Sequence, residues 1–160
     1  MAELRTGIGY DLHPYAAERV LVLGGVTVAY PRGLAGHSDG DALSHAVADA
    51  LLGAAGLGDL GEWFPPGDAR YRDAHSLTLL SEVVRALRER GWRVVNCDTV
   101  VVAQVPRLAP YRAEMRANLA RALGVDEERV NVKATAPERL GALGRAEGVA
   151  ALATVLIERE

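Results

Sequence analysis

Residues Gly148 to Ile157 (GVAALATVLI) run without a charged side chain and with Thr154 as their only polar one. The run is about half of the ~20 apolar residues that a membrane-spanning helix needs, so it belongs inside a folded core. It also lacks the apolar–polar alternation of a strand with one wet face, which points to a strand buried on both faces in the middle of a sheet. The rest of the chain has to be arranged around that strand.

At 160 residues and 17.0 kDa the chain has room for one core and not two, a single domain over 1–160. With 49% hydrophobic and 24% charged residues it lies outside the composition of disordered chains. Eighteen basic against 21 acidic residues give a net charge of -3, which argues against a nucleic-acid partner held by many phosphate contacts. No segment reads as transmembrane, and Met1-Ala2-Glu3-Leu4-Arg5 leads straight into a patterned stretch with no apolar leader, so a cytoplasmic location is expected. The single cysteine, Cys97, forms no internal disulfide and no thiolate cluster, so any metal must be held by His, Asp or Glu.

Arg5 to His13 alternates as a strand does. Val20–Leu23 and Val26–Tyr30 flank Gly24-Gly25, the pattern of a hairpin with a primed turn. Asp41 to Ala55 reads as a helix with Ser38 or Asp39 as N-cap and Gly56 as stop, and His75 to Arg90 as an amphipathic helix ending at Gly91. Between them Gly58–Arg72 reads as a loop long enough to bind something. Trp92–Gln104, a turn over Val105–Pro110, a helix over Tyr111–Leu123 and a strand over Val130–Thr135 compose a β-α-β crossover, followed by a Gly-rich loop, Pro137–Glu147. The order predicts an α+β fold: a mixed sheet, helices packed on one face, and a peripheral β-hairpin.

Asp11 and His13 are two apart in an extended segment, so their side chains leave the same side of the backbone. His45 lies in the first helix with Asp41 and Asp49 four residues to either side, where a carboxylate is placed to hold the imidazole tautomer. One Asp and two His make a three-ligand zinc set with an open fourth position; the plain alternative is a solvated polar stripe and a strand end facing water. His37-Ser38-Asp39-Gly40-Asp41 precedes the helix, where exposed amides favour an anion and where capping alone also explains the residues. Trp63-Phe64-Pro65 in the long loop serves either a ligand or the core edge. Lys133, the only lysine among the 18 basic residues, ends a strand and offers a compact point charge, or is simply a surface lysine.

Five ordered motifs carry a resemblance that runs from about Arg5 to the C-terminus. They are Gly9-Tyr10-Asp11-Leu12-His13, His37-Ser38-Asp39-Gly40-Asp41, Asp49-Ala50-Leu51-Leu52-Gly53-Ala54-Ala55, Gly58-Asp59-Leu60-Gly61, and Val132-Lys133-Ala134-Thr135 with Glu138. The chain resembles the 2-C-methyl-D-erythritol 2,4-cyclodiphosphate synthases of the non-mevalonate isoprenoid pathway. The resemblance implies a phosphorus-oxygen lyase that closes the cyclic diphosphate of 4-diphosphocytidyl-2-C-methyl-D-erythritol 2-phosphate and releases CMP. It implies a zinc on Asp11, His13 and His45, and His37, Ser38 and Phe64 beside the methylerythritol phosphate, with Asp59 and Gly61 receiving the ribose. The cytidine and diphosphate would be held by Ala103, Pro106, Arg107, Leu108, Ala134 and Thr135 of a neighbouring subunit in a homotrimer. Glu138 would carry Mg2+ or Mn2+, and Lys133 and Thr135 would act with it at the diphosphate. Ala136 stands where the family usually has a second hydroxyl residue, Pro66 replaces a frequent Asp, and Gly141–Arg145 lacks a common Phe-Thr pair. A zinc-dependent phosphohydrolase and a non-catalytic nucleotide-binding trimer are the rival readings, separated by whether solvent oxygen enters the product and whether there is turnover at all.

Overall fold

The computed structural model describes residues 1–160. A long first strand, β1 (Glu3–Ala16), is followed by the hairpin β2 (Leu21–Leu23) and β3 (Val26–Val28) and a two-residue strand, β4 (Gly33–Leu34). Helix α1 (Ala42–Ala55), one turn of helix α2 (Leu60–Trp63) and helix α3 (Ser76–Glu89) come next. The chain closes with β5 (Arg93–Val102), α4 (Arg112–Leu123), β6 (Val130–Thr135), the single turn α5 (Gly141–Gly144) and β7 (Gly148–Arg159).

The main sheet has the order β4-β1-β7-β5-β6, so the uncharged run lies at its centre, with hydrogen-bonded neighbours on both sides. β7 is antiparallel to β1 and to β5, whereas β5 and β6 are parallel and joined by α4, the expected crossover. The sheet is therefore mixed, as predicted. No helix is long and apolar enough to cross a membrane.

α1 is built from Ala and Leu, strong helix formers, and is buried almost all round because β1 and β7 lie under it and α3 over it. Its closeness to β1 depends on two glycines. A Cβ on Gly7 would lie 1.9 Å from the Ala50 carbonyl oxygen, and one on Gly9 1.8 Å from that of Ala46. Gly7, Gly9, Asp11 and His13 alternate along one face of β1, so the face that lets the helix backbone approach also points the next two side chains at it.

Four expectations need correction. β7 is central but buried on one face only: on the other, Thr154 is exposed and Leu152 and Leu156 are half-buried. The hairpin is a separate two-stranded sheet with a primed turn, Gly24 at φ 56° and Gly25 at φ 69°, but it is not peripheral: Leu21, Leu23, Val26 and Val28 are all buried in the common core. The N-cap of α1 is Asp41, not Ser38 or Asp39; both its oxygens are occupied, by the amides of Gly24, Gly25 and Ser44 and the Ser44 hydroxyl. The loop after Gly58 holds the turn α2, whose cap is Asp59.

The helices leave the other face of the sheet open. Leu4, Ile8, Tyr10 and Leu12 of β1 project from it, with Ile8 70% and Tyr10 57% exposed. Across the ladder Tyr10 pairs with Leu152 and Leu152 with Val100, so the patch continues over three strands.

Candidate active site

Asp11 Oδ2 lies 2.7 Å from His13 Nε2 and 3.0 Å from His45 Nδ1, and the two ring nitrogens are 3.2 Å apart. The two-residue spacing on β1 and the glycine-mediated contact with α1 bring the three together, and His45 is buried while Asp11 and His13 are partly so. Each imidazole is oriented through its other nitrogen. His13 Nδ1 donates to the Ala35 carbonyl at 2.6 Å, leaving Nε2 for the cluster. His45 Nε2 meets the Ser76 hydroxyl at 2.8 Å and the Ser38 hydroxyl at 3.1 Å, leaving Nδ1. Three convergent lone-pair atoms, the two imidazoles each held by a second hydrogen bond, fit a divalent cation of borderline softness such as zinc.

The predicted carboxylate support of His45 is not what the structure shows. Asp41 is consumed by capping, and Asp49 accepts from the Leu60 amide at 3.0 Å. Ser76, from the start of α3, was not legible as a site residue: nothing near it in sequence marks it, and only the packing of α3 on α1 brings it to His45.

Burial pushes the Asp11 carboxyl upward, but the hydrogen bonds and charges of His13 and His45 outweigh that and hold it far below the usual carboxylate range. Burial likewise depresses His13, and Asp11 more than restores it, so the imidazole binds a proton more tightly than usual. The trio thus carries an ionised carboxylate at neutral pH whether or not a cation is present.

The trio opens on a cleft of about 240 Å³ also lined by His37, Ser38, Gly61, Phe64 and Pro66, with Tyr71 and Leu79, which sequence reasoning did not single out. His37 is fixed by its Nε2 contact with the Asp68 carbonyl, and Phe64 by an edge-on contact with Tyr71. Trp63 instead plugs the core edge, donating to the Leu57 carbonyl. Asp59 and Gly61 line a second mouth of the same site, beside Asp11 and His45.

A separate cleft, sharing no residue with the first, is lined by Ala103, Pro106, Arg107, Leu108, Ala134 and Thr135, together with Gln104, Arg112 and Ala136. Its cations face it without a carboxylate in the lining, which suits an anionic ligand. Glu138 follows on an exposed turn at φ 53°. Lys133 is not in the lining: it points to the open sheet face, where its ammonium lies 2.6 Å from Asp98.

The YgbB family pattern matches residues 4–158. The chain belongs to the YgbB family. The 2-C-methyl-D-erythritol 2,4-cyclodiphosphate synthase of Moorella thermoacetica is 58% identical over 154 residues, 96% of this chain and 94% of its own. That of Synechocystis is 51% identical over 160 residues, 100% and 99% of the two chains. A solved 2C-methyl-D-erythritol-2,4-cyclodiphosphate synthase in its CDP-bound form superposes at a TM-score of 0.88 with 37% identity, over 96% of this chain and 99% of the other. The bifunctional IspDF of Campylobacter jejuni superposes at 0.96 with 44% identity; it matches the whole of this chain, which spans 43% of the Campylobacter one. Of the three stretches read as departures from the resemblance in this YgbB-family chain, Pro66 lines the first cleft, Ala136 the second, and Gly141–Arg145 neither.

Proposed function

We propose that this chain is a cyclodiphosphate synthase, a phosphorus-oxygen lyase that converts 4-diphosphocytidyl-2-C-methyl-D-erythritol 2-phosphate to 2-C-methyl-D-erythritol 2,4-cyclodiphosphate and CMP. The observation that carries the reading is the convergence of Asp11, His13 and His45 on a cleft flanked by His37, Ser38 and Phe64. The names and folds of its relatives support the same reaction. The enzyme is read as cytoplasmic.

The 2-phosphate is an anion at pH 7, so its attack needs no general base. A bond forms between one of its oxygens and the β-phosphorus, and the bond from that phosphorus to the α–β bridging oxygen breaks, leaving the oxygen on CMP. The site has to align two mutually repelling phosphates and neutralise the leaving group. Asp11, His13 and His45 would hold zinc, and Glu138 magnesium or manganese; the two ions supply Lewis-acid neutralisation of phosphate charge. Glu138 is an exposed carboxylate outside the Asp11, His13 and His45 cluster, so it would hold such an ion only together with the substrate diphosphate.

His37, Ser38 and Phe64 seat the methylerythritol phosphate, and Asp59 and Gly61 the ribose. Ala103, Pro106, Arg107, Leu108, Ala134 and Thr135 hold the cytidine and diphosphate, with Lys133 adding charge from the same side of β6 as Thr135. A single substrate spanning two separate clefts is accommodated by a homotrimer in which one chain's first cleft meets its neighbour's second. The open apolar sheet face around Ile8, Tyr10, Leu12 and Leu152, with the Arg145–Glu147 pair beside it, supplies the contact surface.

Turnover in oxygen-18 water tests the chemistry. The cyclic product and CMP should carry no label, because the nucleophile is the substrate's own phosphate. One labelled oxygen per turnover in either product would make the chain a hydrolase.

A further inference from the structure

Behind His45 lies a chain of polar groups, Ser76 buried and Asp39 half-buried, that lines neither cleft. Ser76 is 1% exposed and stands at the first position of α3. Its amide donates to Asp39 Oδ2 at 3.0 Å, its hydroxyl donates to Asp39 Oδ1, and the Asp41 amide also reaches Oδ1 at 3.1 Å. An ionised carboxylate only accepts hydrogen bonds, so the Ser76 proton is committed to Asp39. The Ser76 oxygen is then free only to accept, and 2.8 Å away is His45 Nε2. With a cation held by the trio, the imidazole would carry its proton on Nε2 and offer Nδ1 as the ligand; without one, the Asp11 carboxylate 3.0 Å from Nδ1 draws a proton to that nitrogen instead. Ser38 also touches Nε2, at 3.1 Å, but no carboxylate fixes its hydroxyl proton, so it tolerates either tautomer.

We infer that Ser76 and Asp39 are positioning residues for the metal site: the Asp39 carboxylate, acting through the Ser76 hydroxyl, selects the His45 tautomer that can ligate. The inference rests on the reading of Asp11, His13 and His45 as metal ligands. The bland account of the same contacts is that Asp39 merely caps α3 from outside, since His75 at the N-cap makes no side-chain cap bond. The two accounts differ in what they say about the imidazole.

Zinc affinity of the full chain, measured by competition with a chelator, should fall about 10- to 100-fold in Ser76→Ala and stay near wild type in Ser76→Thr, which keeps the hydroxyl. Long-range 1H–15N NMR of the zinc-loaded protein should show wild-type His45 ligating through Nδ1 with its proton on Nε2. In Asp39→Asn the amide can donate to Ser76, the hydroxyl turns toward Nε2, and zinc affinity should fall as in Ser76→Ala. If Ser76→Ala does not fold, Asp39→Asn and the wild-type spectrum decide the matter. A wild-type chain that binds no zinc overturns the metal reading itself. Zinc binding by wild type with equal affinity in Ser76→Ala or Asp39→Asn, or a zinc-loaded His45 that ligates through Nε2, overturns the role of the pair and leaves the metal reading standing.

Discussion

The two clefts are built on opposite principles. At the centre of the first, side chains of β1, α1, α3 and the segment before α1 are buried or half-buried and both imidazoles are tied by a second hydrogen bond, so the geometry of the trio is set before any ligand arrives. The second is lined by the loop after β5 and the exposed end of β6, with two arginines and largely backbone and small side chains. A preorganised site suits the reacting phosphates, where misplacement is costly in rate; a looser one suits a leaving nucleotide that has to be released. On the proposed trimeric reading, the contrast means that one chain holds both halves of a site without holding the whole.

The strongest attempt to break that comparison is complementation. His45→Ala should lose zinc and lower kcat/KM by about 1,000-fold or more, the loss of several kcal/mol of charge neutralisation, with far-UV circular dichroism unchanged. Ala134→Trp should fill the second cleft and be inactive while binding zinc like wild type. Co-refolded together, the two variants should regain activity, because some mixed trimers join an intact first cleft to an intact second one. Two inactive variants that stay inactive after mixing, or light scattering that finds an active monomer, would place each site within one chain.

A second test asks how the first cleft gets its rigidity. Gly9→Ala drives a methyl group into the Ala46 carbonyl, so α1 must move away from β1 and carry His45 with it. We expect a loss of about 3 kcal/mol, read from denaturant unfolding, and weakened zinc binding. Gly53→Ala, on the same helix, is the control: the nearest atom to its Cβ would be the Ile8 carbonyl oxygen at 3.9 Å, so the added methyl should stabilise α1 by up to about 1 kcal/mol. Equal effects from the two would sink the account of the strand face.

Much of this was legible in the sequence wherever one local pattern had one meaning. The uncharged run is the central strand, Gly24-Gly25 is the primed turn, and the two-residue spacing puts Asp11 and His13 on one face of β1; that His45 joins them was implied by the resemblance, since the local pattern also allowed a solvated stripe. What was not legible turns on residues with several equivalent local options. Ser38, Asp39 and Asp41 are all competent caps; the choice falls on Asp41 because the distant hairpin amides of Gly24 and Gly25 reach it, and Asp39 is drawn away by Ser76. The hairpin's place in the core and the one-turn α2 likewise depend on tertiary packing that no local period encodes.

Lys133 gives a third, smaller test, since it stands between the two descriptions. It shares a side of β6 with Thr135 of the second cleft, yet its ammonium is engaged by Asp98 on the open face. As a charge acting on the diphosphate it should be worth about 10- to 100-fold in kcat/KM, the range of a hydrogen bond to a charged group, and Lys133→Met should show that loss without changing zinc affinity. A Lys133→Met enzyme with wild-type kinetics would assign the lysine to the ion pair alone and take it out of the active site.

The smallest expected effect concerns pH and separates the metal-free first cleft from the loaded one. His13 has its pKa raised above the ordinary 6.5, so in the metal-free protein its contribution to stability is fully present below 6.5 and is lost as pH rises through the raised value. Asp11 is shifted the other way, so its contribution is present above the ordinary 3.8 and is lost as pH falls toward its depressed value. Together they favour the metal-free fold most between those two ordinary values. Zinc needs the neutral imidazole, so the increment that zinc adds to stability should grow as pH climbs past the raised His13 value. Melting temperatures from pH 5 to about 8.5, with chelator and with excess zinc, should therefore diverge as pH rises. A zinc increment that does not change with pH would mean that His13 is not a ligand, even if Asp11 and His45 are.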